Sequence, residues 1–411
     1  MRTLRAVVAG AAATMLLAGC GNGFGSSQPS SSSGPLKVMI GSSGPAETNA
    51  VQAAADRWSK SSGTKVEVIA AQNLDQQVGQ GFAGGNPPDV FYLDPTRLQQ
   101  YAKGGSLYAY GSQLPASTVG DFYPALRQTY TYKGQLTCAP KDLDTHELVI
   151  NTDMWSAAGL TQADYPKTWD DLTRVATRLT TAQHVGLAFT GDHNTAGTFM
   201  LEAGGWFLNA NNTAVTADTP QNLAALQYLL TNIGKKVFAR AKSIDAQWGG
   251  QAFGTGKAAM DVEGGWIIGA MRTDYPNVHW TAVQMPTGPG GRGTTVFSNC
   301  WGIAAKSSNK SQAVSLVEAL VSPAEQKAFQ NAFGATPSRS SLAAWSVQAN
   351  PNKAAFNAGV AYARGPVPVP GFTSVLSDFD TGLENMVSGT VTPEQILQNM
   401  QRNGEQVLKS Q

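Results

Sequence analysis

Two carboxylates and four tryptophans are the residues of this 411-residue sequence best suited to do chemistry. Asp142 and Asp144 stand two apart in an extended-looking segment, so their side chains point to one face. Such a pair can serve a glycosidase as acid and base, can accept hydrogen bonds from sugar hydroxyls with no reaction following, or can be solvated surface. Spacing alone leaves all three readings open. Trp206, Trp248, Trp266 and Trp301 each have glycine alongside: Gly204-Gly205, Gly249-Gly250, Gly264-Gly265 and Gly302. A neighbouring glycine lets the backbone turn sharply and leaves one ring face open. A flat indole can then stack on the apolar C–H face of a sugar, whose hydroxyls need carboxylates and amides at the edge. Core packing is the other fate of an indole, and it suits Trp58, Trp155 and Trp169, which stand at helix-spaced or helix-entry positions.

Other chemistries find little footing. No G-x-S-x-G elbow, Walker A loop or H-E-x-x-H motif occurs, and the 4 histidines are scattered. No C-x-x-C pair is present, so neither a metal nor a cofactor is expected. Gly288-Pro289-Gly290-Gly291-Arg292-Gly293 matches G-x-G-x-x-G in letters but has no strand before it and no helix after it, which predicts a surface turn.

The elements that must position these residues follow a βα rhythm. Leu36–Ile40, Lys65–Ala70 and Asp89–Leu93 are predicted strands. Helices are predicted over 47–61, with Gly63 as terminator, and over 74–82. Thr168 suits the N-cap of a helix bearing Leu172, Val175, Ala176 and Leu179. Further helices are expected over 220–233, 311–320 and 392–408, and strands over 256–262 and 301–305. Strands alternating with helices imply parallel sheets covered on both faces.

The amino terminus reads as a processing signal. Arg2 and Arg5 precede a small apolar run, Val7–Ala18, that is short for a bilayer and ends in Leu17-Ala18-Gly19-Cys20. That ending resembles a bacterial lipobox, with Cys20 the lipidated residue; the alternative is an ordinary secretory signal with an incidental cysteine. Gly21–Gly34 is Gly/Ser-rich, with too little apolar surface to offset its ordering entropy, and reads as a flexible tether. Removing residues 1–19 takes Arg2 and Arg5 and no acid from 29 basic and 28 acidic residues, leaving a net charge of −1. A near-neutral chain has no basic footprint for nucleic acid. The chain is 42% apolar and 14% charged, and Pro35–Gln411 is long enough for two sizeable cores. Outside the cell Cys138 and Cys300 can pair, or they remain two buried thiols.

Five ordered motifs carry a family resemblance. They are Gly85-Asn86-Pro87-Pro88-Asp89-Val90-Phe91-Tyr92; Lys133-Gly134-Gln135-Leu136 through Ala139-Pro140-Lys141-Asp142; Asn151-Thr152-Asp153-Met154-Trp155; Pro166-Lys167-Thr168-Trp169-Asp170-Asp171-Leu172; and Phe253-Gly254-Thr255-Gly256-Lys257-Ala258-Ala259-Met260. Together they resemble the extracellular solute-binding proteins of ABC importers, in the carbohydrate-binding branch related to maltodextrin-binding protein. The resemblance covers nearly all of Leu36–Leu408. Ile150 in place of the family's Tyr, and Leu136-Thr137-Cys138 in place of its Tyr-Gly, are departures that leave the sugar unspecified.

The resemblance implies an α/β, two-lobed periplasmic-binding-protein-like fold with a hinge and an interlobe ligand cleft. It implies a signal peptide over 1–19, a lipid-anchored linker over 20–34, one lobe from 35–143 and 302–335, and another from 144–301 and 336–411. Asp94, Asp144 and Trp266 match family ligand positions, and Phe372 lies near its carboxy-terminal stacking aromatics. The expected ligand set is Asp94, Asp142, Asp144 and Glu263 as acceptors, Asn299 as an amide, and Trp206, Trp248, Trp266, Trp301 and Phe372 as aromatics. Cys138 and Cys300 fall beside the lobe crossovers, where a disulfide would restrain the hinge. The implied function is reversible capture of a carbohydrate by a monomer on the outer face of the cell membrane, with handover to permease subunits. A glycerophosphodiester or other polar solute is an alternative cargo, with Arg339 and Arg364 as candidate ligands for a phosphate, and a secreted glycosidase using Asp142 and Asp144 is the catalytic alternative.

Overall fold

A computed structural model describes residues 34–411; the signal sequence, Cys20 and most of the tether fall outside the described residues. The predicted elements form within a residue or two of their expected limits. Pro45–Ser62 is a helix ended by Gly63 in the left-handed region, φ 73, and the Thr168 side chain caps Trp169–Leu179 by accepting from Asp171 N. The strand expected from residue 256 starts only at Ala258, because Gly256 is itself left-handed, φ 74.

Three of the four sheets among the described residues organise these elements. The first has the order Val66–Ala70, Leu36–Ile40, Val90–Leu93, Cys300–Ile303, Ala139–Pro140, its first three strands parallel and Cys300–Ile303 antiparallel to Val90–Leu93. One face packs Leu36, Val38, Ile40, Trp58 and Trp301 together with residues of helices Lys310–Leu320 and Pro323–Phe333. The opposite face packs Val78, Phe91, Leu93, Cys138 and Cys300. Burial on both faces is why Val90-Phe91-Tyr92-Leu93 is apolar without alternation.

The second sheet has the order Phe238–Arg240, Val185–Phe189, Ala258–Glu263, Glu147–Asn151, Trp280–Val283, with the first three parallel and the last two added antiparallel. The largest core lies on it, built from helices Trp169–Leu179, His193–Glu202, Pro220–Gly234, Phe372–Val387 and Pro393–Lys409.

A short third sheet, Thr336–Pro337, Asp142–Thr145, Thr294–Phe297, Ala363–Arg364, lies on the path between the other two. The chain leaves the first sheet at Pro140, passes through Asp142–Thr145 and enters the second at Glu147; it returns through Thr294–Phe297 into Cys300–Ile303. The two crossing strands pair with each other, Thr145 opposite Val296 and Asp144 opposite Phe297. Two lobes joined by paired crossing strands have the layout of a hinge. Cys138 and Cys300 are joined by a disulfide, Cα atoms 5.6 Å apart, at the first-sheet end of both crossings. The 288–291 segment is a turn, Gly288 bridging to Gly291, and no helix follows it. Among the described residues no helix is long and apolar enough to cross a membrane.

Candidate functional site

A cavity of about 490 Å³ opens between the lobes. The first lobe contributes Leu74, Asp75, Asp94 and Thr96; the second contributes His193, Asn194, Trp206 and Asp380; the returning crossing strand and the residues after it supply Phe297, Ser298 and Asn299 as floor. A smaller cavity of about 260 Å³ shares that floor and continues past Lys141, Asp142, Asp144 and Trp266. The cleft is thus two chambers divided by residues 297–299.

Local folding explains each placement. Asp94 follows the strand Val90–Leu93 and caps the helix Pro95–Lys103, its Oδ1 accepting from Thr96 N at 2.8 Å and from Thr96 Oγ1 at 2.5 Å. Its Oδ2 takes no hydrogen bond from the described residues. Burial pushes this carboxyl above its ordinary value, against the lowering effect of the two Thr96 bonds. On the opposite wall Asp192 caps the helix His193–Glu202. His193 gives its backbone N–H to Asp380 Oδ1 at 2.5 Å and sets Nδ1 2.8 Å from Asp380 Oδ2. Burial alone would lower the His193 pKa, but Asp380 holds it above the ordinary value.

The paired acids do not stand free. Asp142 Oδ2 lies 2.5 Å from Lys141 Nζ, and its Oδ1 accepts from Asn299 N at 3.0 Å. Lys141 also reaches Glu47 Oε1 at 3.1 Å. Burial would lower the Lys141 pKa, yet Asp142 and Glu47 keep it well above its ordinary value. Asp144 is buried: its Oδ1 accepts from Gly265 N at 3.0 Å and Thr336 Oγ1 at 3.3 Å, and its Oδ2 lies 3.7 Å from Lys353 Nζ. Burial lifts the Asp144 pKa to about 6 in spite of Lys353. Two carboxylates committed to buried cations and backbone N–H groups give no support to a glycosidase pair.

The aromatic expectations divide. Trp266 is half-buried on the smaller cavity, edge-on to Phe297 with ring centroids 5.0 Å apart. Trp206 lines the larger cavity but is only 5% exposed, so little of its ring can be touched. Trp248 is half-buried and lines neither chamber. Trp301 and Phe372 require correction. Trp301 is 0% exposed because its strand is paired on both edges and covered on both faces, and its ring packs on Tyr92. Phe372 is 0% exposed because it opens a helix that packs on Pro393–Lys409, with its ring against Gly404. Glu263 also departs from expectation. It is buried, and its oxygens accept from Trp266 Nε1, Gly250 N and Gly264 N rather than facing open cleft. Asn299 lines both chambers.

His193, Asn194, Thr96, Ser298 and Asp380 line the cleft without having been expected there. A signal for the first two was present: Asp192-His193-Asn194-Thr195 has an N-cap pattern just beyond a parallel strand, where ligands collect in open α/β sheets. Asp380 carried none, since it sits mid-helix and reaches the cleft only through the fold.

Comparison with known proteins adds family and fold. The family described as bacterial extracellular solute-binding protein matches residues 43–327. A curated relative, an uncharacterised lipoprotein encoded 5′ of oleD in Streptomyces antibioticus, is 24% identical over 340 residues, covering 79% of this chain and 73% of its own. An ABC-transporter substrate-binding protein from Listeria monocytogenes, solved with cycloalternan, superposes with a TM-score of 0.81 at 22% identity, over 91% of this chain and 98% of its own. A Mycobacterium tuberculosis protein solved with glycerophosphocholine gives 0.80 at 21% identity, over 92% and 99%.

Proposed function

The chain belongs to the bacterial extracellular solute-binding protein family, and from that premise we propose that it captures a sugar or oligosaccharide between its lobes and delivers it to an ABC permease. The observation that carries this reading is the interlobe cavity of about 490 Å³, with hydrogen-bonding groups on both walls and aromatic rings beside them. Asp94, His193, Asn194 and Asn299 supply acceptors and donors for hydroxyls, and Trp266 supplies a stacking face. Closure about the paired crossing strands would bring Asp94 on one lobe toward His193 and Asp380 on the other. We assign the lobes to 35–143 with 302–335 and to 144–301 with 336–411, except that Cys300 and Trp301 go with the first lobe, whose sheet their strand joins.

A phosphodiester cargo is less well served. Among the described residues, neither lysine nor arginine lines the larger cavity. Arg339 is spent on Asp121 and Val321 O, and Arg364 on the carbonyls of Leu208 and Asn209. Binding without turnover is part of the same proposal, as is anchoring through a lipid on Cys20, which the lipobox-like Leu17-Ala18-Gly19-Cys20 supports. Calorimetry of the mature chain against neutral di- and oligosaccharides, with glycerophosphocholine beside them, is the test. Binding to a sugar is expected; binding to the phosphodiester alone would replace this reading. Labelled palmitate should enter the protein in cells and fail to enter C20A.

A further inference from the structure

Glu263 ends the central strand Ala258–Glu263 of the second sheet, in a buried position between two tryptophans that have glycines beneath them. Its Oε2 accepts from Trp266 Nε1 at 2.7 Å. Its Oε1 accepts from Gly250 N at 3.2 Å and lies 3.5 Å from Thr190 Oγ1. The Trp266 ring lies on Gly264, where a Cβ would come within 2.1 Å of it, and the Trp248 ring lies on Gly250, again 2.1 Å from where a Cβ would stand. Each glycine is therefore the seat of a ring. Gly265 is the seat of the Asp144–Lys353 pair, its absent Cβ falling 2.2 Å from Asp144 Oδ1 and 2.5 Å from Lys353 Nζ. Asp144 holds the Gly265 N–H, so the Trp266 loop is tied at one point to its own strand and at another to the crossing strand.

Topology puts both rings at one end of the sheet. Glu263 is the carboxy-terminal residue of its strand, and Gly249–Gly254 is the helix that leads into that strand, so Trp248, at the start of that helix, and Trp266 share the strand's carboxy-terminal end. Thr190, which follows the parallel strand Val185–Phe189, joins them through Gly249 N. In open α/β sheets this end is where ligands lie.

We propose that Glu263 is the positioning residue of a two-tryptophan platform, fixing Trp266 through its indole N–H and Trp248 through the Gly250 backbone. Trp266, on the smaller chamber, is then the ring that meets ligand, and Trp248, outside both chambers, shares its anchor. This rests on the sugar-binding reading for its consequence in affinity, though not for the geometry. A carboxyl group suits the task, charged or neutral, since each of its oxygens keeps a lone pair for the N–H that serves one ring. Glutamine keeps one acceptor and methionine keeps none, at similar volume.

Labelling the 9 tryptophans with 5-fluorotryptophan and recording ¹⁹F spectra of the mature protein tests the platform without any ligand. W266F and W248F assign the two signals. In E263M both signals should shift and broaden while those of core Trp58 and Trp155 stay in place; in E263Q the Trp266 signal should stay near its native position. Maltotriose, or the tightest sugar of the calorimetric panel, should bind E263M about tenfold or more weakly and E263Q within about threefold of the parent. Unmoved Trp266 and Trp248 signals in E263M overturn the proposal. Signals of all tryptophans moving together overturn it too, by making Glu263 a general stability residue, as does an unchanged sugar affinity with displaced rings. If the parent binds no sugar, the functional reading fails and the platform is decided by the spectra alone.

Discussion

Trp266 and Trp301 carry similar sequence marks and ended in opposite surroundings. Gly264-Gly265 precedes Trp266 where a central strand ends and a helix begins; its ring rests on Gly264, its N–H is held by Glu263, and the rest meets the cleft. Trp301 precedes Gly302 in mid-strand, paired with Tyr92 on one edge and Ala139 on the other. Its ring fills the first-lobe core, and Gly302 makes room for Phe91 rather than for a ligand. Glycine beside these two tryptophans therefore reports a close approach of an aromatic ring to the backbone. Whether the ring meets core or cleft depends on whether the element continues or stops there.

Perturbing the Trp301 region should cost stability, and perturbing the Trp266 region should cost binding. The largest effect is expected from C138A/C300A, which removes a cross-link spanning 162 residues beside Trp301. Loop-closure entropy makes this worth up to about 5 kcal/mol, read as a lower denaturation midpoint. W301A should cost roughly 3–5 kcal/mol in the same assay, with sugar affinity retained by the folded protein. Lost affinity at full stability would break the comparison.

The Trp266 region should also carry a pH dependence of its own. Burial lifts the Glu263 pKa to about 8 from an ordinary 4.5, outweighing the bonds from Trp266 and Gly264. A carboxyl raised in the folded state contributes stability that is full below the unfolded value and is lost as pH rises through the folded one. Melting temperature should therefore fall from pH 4.5 to 8. E263Q should flatten that fall by an amount on the order of a few kcal/mol. Glu147, also lifted by burial to about 8, leaves part of the slope in place. A slope identical in E263Q and parent would remove Glu263 from the account.

W266A should weaken sugar binding by roughly 2 kcal/mol, about 30-fold, with little change in melting temperature. The smallest effect belongs to a control outside both regions. Arg57 and Glu325 pair 2.6 Å apart, with the Arg57 side chain 54% exposed. R57A should change stability by less than about 1 kcal/mol and affinity not at all.

Much of the fold was legible because local signals set it: periodicity gave the helices, Thr168 and Gly63 marked ends, and unbroken apolar runs marked strands covered on both faces. The site was legible only in part. Asp94 could be placed because it follows a predicted strand and matches a family ligand position; that it caps a helix came from the structure. Glu263 and Asp144 could be marked as functional acids but not given their partners, since Gly250, Lys353 and Thr336 reach them only through tertiary packing.

By itself, the sequence determined the βα rhythm of the elements read from it and a family, both of which follow from neighbours along the chain. Tertiary structure alone decided which of the glycine-flanked tryptophans meets the cleft, and which acids are spent on buried partners. Exposure and pairing belong to what lies across the fold from a residue, and period and capping carry no information about that.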